Sequence, residues 1–232
     1  MKRPFLIRSL PLLAVTAVLA LTNSASADVI VGVDTGQNWQ GFMNVFEIDR
    51  SGSTPVAGGY VFGSGWGFND LTAEFSGNEL TLGPNSIGDP DPFWYQGGGG
   101  PGALGNKWMD AVGFVQYTDT FGGQNVTFRG EVLSNTFTSS HTGVAFIRDF
   151  APDFSSFNEV TAALTPGEFE ITLAADAGAG RHIQYGFNVQ GENVWVTDRG
   201  PFGNVVISAV PEPASAVILG LTGLGLLSRR RR

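Results

Sequence analysis

The side chains that usually carry chemistry are scarce in this chain. Among its 232 residues there is no cysteine, and the histidines are two, His141 and His182. Without cysteine there is no thiolate nucleophile, no Cys-ligated zinc and no iron–sulfur chemistry. A Ser-His-Asp triad would have to use one of the two histidines. His141 stands in TSSHTG, a Ser/Thr-rich stretch that reads as a turn. The patterns HExxH, P-loop and GxSxG do not occur, and GSGWG around Ser64 has the wrong spacing for a nucleophile elbow. Acids are numerous, but the separation of a carboxylate pair for glycoside cleavage is a three-dimensional quantity. No catalytic residue is assigned, and the chain reads as a non-enzyme.

Saccharide binding suits the residues better. Sugar C–H faces stack on aromatic rings, while amides and acids bond the hydroxyls. Residues 83–107, GPNSIGDPDPFWYQGGGGPGALGNK, hold four prolines and a glycine tetrad. That composition disfavours helix and central strand. It predicts a long surface loop presenting Phe93, Trp94 and Tyr95, and long structured loops are often functional. Trp94 and Tyr95 offer a platform. The run RHIQYGFNVQG alternates, with Ile183, Tyr185, Phe187 and Val189 on a core face. His182, Gln184, Asn188 and Gln190 fall on the other, toward solvent or a cleft, and offer the hydrogen bonds. Trp39, Trp66 and Trp108 could add platforms. The competing structural readings are core packing for each tryptophan and a solvated outer face for the polar strand.

Carboxylates provide a second ligand type. Asp89 and Asp91 in the proline-rich loop are hard oxygen donors suited to a structural calcium. So are Asp28, Asp34 and Asp198, if the terminal strands pair. No EF-hand pattern is present, and no other cofactor is called for.

The elements that must position these residues are short. RHIQYGFNVQG, FEITL (Phe169, Ile171, Leu173), VTFRGEV (Val126, Phe128, Val132) and NVWVTD all alternate with period two, and GVAFIRDF is nearly continuous. Turn signals separate them at Gly122-Gly123, Pro166-Gly167, residues 177–180 and Gly191-Glu192-Asn193. With no helical periodicity in this region, the pattern predicts an all-β fold, an antiparallel two-sheet sandwich of jelly-roll type. A barrel or solenoid is the alternative, though no fixed-period repeat supports a solenoid.

Both ends read as processing segments. Lys2, Arg3 and Arg8, an apolar run from Leu10 to Leu21, and Ser24-Ala25-Ser26-Ala27 make a signal peptide over 1–27, for signal peptidase. Residues 28–208 then form one ectodomain. It holds 20 acidic against 6 basic side chains, a formal charge of −14. Such a surface repels phosphate backbones, so nucleic acid is excluded as a partner. Its fold must hold without disulfides.

In residues 209–232, Pro211-Glu212-Pro213 precede an apolar stretch from Ala214 to Leu227 and the cluster Arg229, Arg230, Arg231 and Arg232. Physically this is a short transmembrane helix with a basic stop on the cytoplasmic side. The prolines leave about 15 residues for the helix, a marginal span. The order of parts resembles the PEP-CTERM sorting signal, an element sometimes labelled after ice-binding proteins. The resemblance implies that an exosortase recognises Pro211, Glu212 and Pro213. It implies an inner-membrane precursor whose mature form lies at the cell surface, outer membrane or extracellular matrix. A plain membrane anchor is the alternative. Residues 128–157 and 181–198 look like the jelly-roll ectodomains of other tailed proteins. The expected function is a surface or matrix protein contacting exopolysaccharide; the alternative is a polysaccharide-active enzyme. Ice binding would need a regular Thr array, and no Thr-x-Thr repeat occurs.

Overall fold

A computed structural model describes residues 28–209. The predicted signal peptide, the Pro211-Glu212-Pro213 motif, the transmembrane helix and the Arg229 to Arg232 cluster lie outside the described residues. Within them no helix is long and apolar enough to cross a membrane.

Twelve strands form two sheets: β1 (Val29–Val31), β2 (Gln40–Asp49), β3 (Val56–Trp66), β4 (Ala73–Ser76), β5 (Glu79–Leu82), β6 (Lys107–Thr118), β7 (Asn125–Asn135), β8 (His141–Phe150), β9 (Phe157–Ala163), β10 (Gly167–Ala174), β11 (His182–Glu192) and β12 (Val205–Ser208). One sheet runs β3-β2-β6-β11-β8-β9. In the other, β7 pairs with β10 on one side, and β1 and β12 also pair with β7; β12 continues to β5 and β4. The all-β, two-sheet expectation is met. The antiparallel rule has an exception, because β1 runs parallel to β7.

Alternation explains which residues face inward. Phe169, Ile171 and Leu173 of β10 and Val126, Phe128 and Val132 of β7 are buried, as their period-two spacing requires. They meet Ile183, Tyr185, Phe187 and Val189 of β11 in one core between the sheets. NVWVTD departs from expectation. Val194 makes an isolated bridge with Ser86, and the chain then turns, so no strand forms there. β11 itself runs on through Glu192, past the expected turn at Gly191.

The inner face of β2, β3 and β6 carries a second core without a second sheet above it. Met43, Val45, Met109 and Ala111 pack there against Ile87 and Tyr95, with Trp94 and Trp195 alongside. The irregular segment over 83–107 supplies that cover. Gly105 shows how closely it is laid down: a Cβ there would stand 2.0 Å from the Asn193 carbonyl oxygen.

Candidate functional site

The predicted platform divides. Tyr95 is fully buried, with 0% of its surface exposed. Its hydroxyl oxygen lies 2.5 Å from the Ile87 carbonyl and 2.9 Å from the Val194 carbonyl, and accepts the Ile87 N–H at 3.2 Å. Burial pushes the phenol's pKa up. Tyr95 is therefore a core residue and presents nothing to a ligand. Trp94 is half-buried, edge-on to Phe93 at 4.7 Å and to Phe62 at 6.3 Å. Its carbonyl receives the Asn193 side-chain amide at 2.8 Å. The segment is an irregular loop with Phe93 38% exposed, as expected, but Tyr95 is turned inward because the second core beneath the loop needs apolar cover.

The polar side of β11 lies on the opposite face of the sheet, so the structure does not bring it together with Trp94. It is not an open solvated face, because β11 sits between β6 and β8. Gln184 is 7% exposed and donates to Gln116 Oε1 at 2.8 Å; Asn188 is 3% exposed and donates to Asp110 Oδ1. Asp110 also receives Asn44 Nδ2 at 3.5 Å. Burial holds the Asp110 carboxyl above the usual carboxylate range, against the opposing pull of Asn188. His182 stands at the far end of the strand, stacked on Phe154 at 4.1 Å and bonded to Thr118. Gln190, half-buried, shares the Asp110 end. The four predicted residues thus share a face but not a pocket.

A groove opens elsewhere, at the end of the sandwich. One depression of about 670 Å³ is lined by Trp66, Asn69, Asp70, Ser86, Asp89 and Arg199, among others. A second of about 330 Å³ includes Glu74, Thr136 and Asn204, and the two share Thr72 and Arg199. Trp66 ends β3, with its indole N–H bonded to Ser64 Oγ at 2.9 Å and part of its ring in the second core. Thr72 at the seam has φ 57°, a left-handed conformation that is rare for a β-branched residue. Its hydroxyl is held at the Gly83 and Pro84 carbonyls, 3.0 and 2.9 Å away. Backbone strain of this kind concentrates at functional sites. Among the described residues Arg129 and Arg199 make no ion pair, whereas Arg50, Lys107, Arg148 and Arg181 each have an acidic partner; of the two, Arg199 lines the groove.

Sequence reasoning named Trp66 and Asp89 but missed Asn69, Asp70, Thr72 and Arg199. Arg199 had one signal: it is among only six basic residues in an acidic region and sits in a Gly-Pro turn. Trp39 and Trp108 are not platforms in this groove. Trp39 stacks on Phe187 at 6.1 Å against the main core, and Trp108 is buried.

Among the described residues no three His, Asp or Glu side chains gather as a metal site. Asp28 receives Asn125 Nδ2 at 3.0 Å, Asp34 receives the Gly36 N–H at 2.8 Å, and Asp198 receives the Gly102 N–H at 2.6 Å. The grouping expected of Asp28, Asp34 and Asp198 does not form: β1 pairs with β7, while Asp198 caps the loop near Gly102. Asp91 bonds the Phe93 N–H and Asp89 the Asp91 N–H.

The described part is therefore a β-sandwich with an open, polar groove at one end. Residues 209–232 match the family model of the PEP-CTERM protein-sorting motif. The chain is an exported protein that carries an exosortase sorting signal, made as a membrane-associated precursor and sorted to the cell surface. Neither curated proteins nor solved structures gave a match.

Proposed function

We infer that the sandwich is a non-catalytic module that binds extracellular polysaccharide in the groove seamed by Thr72 and Arg199. The carrying observation is the groove's lining. Trp66 provides a ring for a sugar face, Asp70 and Asp89 accept hydroxyls, and Arg199 donates a fork of N–H groups. Two connected depressions suit a polymer better than a single small molecule. The groove passes Asn204, beside the start of β12, whereas the chain leaves for its sorting tail at Ala209, beyond the other end. Ala209 is buried and donates to the Asn78 carbonyl at 2.7 Å, so the exit is fixed to the fold.

The strand path supports a jelly-roll reading. The orders β5-β12-β7-β10 and β6-β11-β8-β9 are those of a jelly roll's two four-stranded sheets, with β1, β2, β3 and β4 as additions. Binding is preferred to glycoside cleavage because Asp110, the carboxyl whose pKa burial raises, is bonded to Asn188 on the outer sheet face and not in the groove. The test is polysaccharide pull-down and glycan-array binding by residues 28–209, with and without calcium. Retention weakened by Asp70→Ala supports the reading. No binding to any glycan in either condition sinks it, and release of reducing ends would favour the enzyme alternative.

A further inference from the structure

The match to the sorting motif begins at Ala209, and the fold claims the same residue. Ala209 is 4% exposed, belongs to the core between the sheets, and donates its N–H to the Asn78 carbonyl at 2.7 Å. It follows directly on β12, whose Val205 and Ile207 are fully buried and which pairs with β5 on one side and β7 on the other. Val210 alone separates Ala209 from Pro211. Successive Cα atoms lie about 3.8 Å apart, so Pro211 stands within about 8 Å of a residue packed in the core.

The pairing around β7 shows how this end is held. β10 occupies one edge of β7 over residues 125–132, so β1 and β12 share the other. β1 runs parallel to β7 along residues 126–128, and β12 runs antiparallel from Asn135 to Glu131. The two therefore run toward each other, and the edge ahead of β12 is already taken by β1. The register of β12 against β7 shifts between Val206 and Ile207, which divides the short strand in two. Such a bulge interrupts the ladder locally. Residues 207–209 can thus open while Val205 and Val206 stay paired, and an opening of that size costs less than global unfolding.

Processing enzymes reach buried, hydrogen-bonded backbone through a locally opened state. We propose that the sandwich restrains its own sorting signal: exosortase processes the motif from an opened state in which Ala209 has left the core and the Asn78 carbonyl. Burial of Ala209 and engagement of the motif compete for one residue, so the hold on β12 sets the rate of sorting.

The test follows the full-length precursor in exosortase-bearing cells, with processing seen as the shift from the larger to the smaller band. Inserting Gly-Ser-Gly-Ser-Ala between Ala209 and Val210 leaves Ala209 in place and gives the motif a free spacer ending in its own alanine. This variant should mature several-fold faster than wild type. Glu79→Cys with Ser208→Cys joins two directly opposed residues of β5 and β12, in a chain with no other cysteine. Their Cα spacing of about 4.5–5.5 Å suits a disulfide. The oxidised pair should mature about tenfold more slowly or worse, and either reductant or the added insertion should restore processing. An insertion that matures no faster than wild type overturns the proposal. So does an oxidised pair that matures at the wild-type rate, or one that the insertion fails to rescue. The readout needs no ligand, so failure here is separate from failure of polysaccharide binding.

Discussion

The Tyr95 hydroxyl lies 2.9 Å from the carbonyl of Val194, a residue 99 positions away in the chain. With the 2.5 Å contact to Ile87, it pins the 83–107 segment over the second core. Tyr95→Phe keeps the ring and removes the hydroxyl, leaving two buried carbonyls and the Ile87 N–H short of a partner. A loss of about 1–3 kcal/mol is expected, read from urea denaturation; an unshifted midpoint would refute this role.

Gly105 tests the same cover by crowding. Gly105→Ala drives a Cβ into the Asn193 carbonyl region, which is backbone and cannot rotate away. Overpacking of this kind costs about 1–3 kcal/mol or more. Stability equal to wild type would show that the segment is laid more loosely than described.

The groove reading makes a separate demand. Arg199 has no ion pair among the described residues, so Arg199→Ala should leave folding almost unchanged while weakening polysaccharide retention about tenfold, or about 1.4 kcal/mol. Trp66→Ala should weaken it too, though its ring also packs in the second core. Affinity-gel electrophoresis separates the two effects when run beside thermal unfolding. Full retention by both variants would exclude the groove.

Two buried groups give stability opposite pH dependences. Burial lowers the pKa of His141, whose Nε2 bonds the Glu192 carbonyl at 3.0 Å while Nδ1 has no partner. The unfolded histidine takes up a proton near its ordinary pKa of about 6.5, but the folded one resists it. Stability is therefore retained above that pH and lost as pH falls toward the depressed folded value. Asp110 behaves in the reverse sense. Its raised folded pKa means that stability is fully present below the unfolded value of about 3.9 and falls as pH rises through the folded one. Asp110→Asn should match wild type in acid and exceed it at neutral pH. Denaturation midpoints for Asp110→Asn and His141→Gln across pH 3 to 8, on the order of these pKa values, would check each slope; a slope that survives its substitution is not due to that residue.

The sorting motif can be probed in cells. Replacing Pro211, Glu212 and Pro213 with alanine should leave the precursor unprocessed and membrane-bound, seen as a larger band in the membrane fraction. Normal processing of that variant would remove exosortase recognition at these residues.

Much of the sandwich was legible because alternation encodes burial locally. Phe169, Ile171 and Leu173 can share a face only if their segment is extended, and the core they enter follows. The 193–198 segment has the same alternation yet forms no strand, since pattern does not say whether a neighbour is available to pair. The groove was largely illegible. Asp70, Asp89 and Arg199 come from three separated segments, and no spacing rule joins them.

By itself the sequence determined the all-β class, the acidity of residues 28–208 and the tail's sorting signal, because composition, period and a contiguous motif are properties of the chain alone. Only the tertiary structure decided what the aromatics do. Tyr95 and Trp94 are neighbours in sequence, yet one is sealed beneath the loop and the other half-covered. Gln184 and Asn188 face outward on their strand but are buried by the strands beside it. Burial depends on what packs across a residue, and that partner comes from elsewhere in the fold.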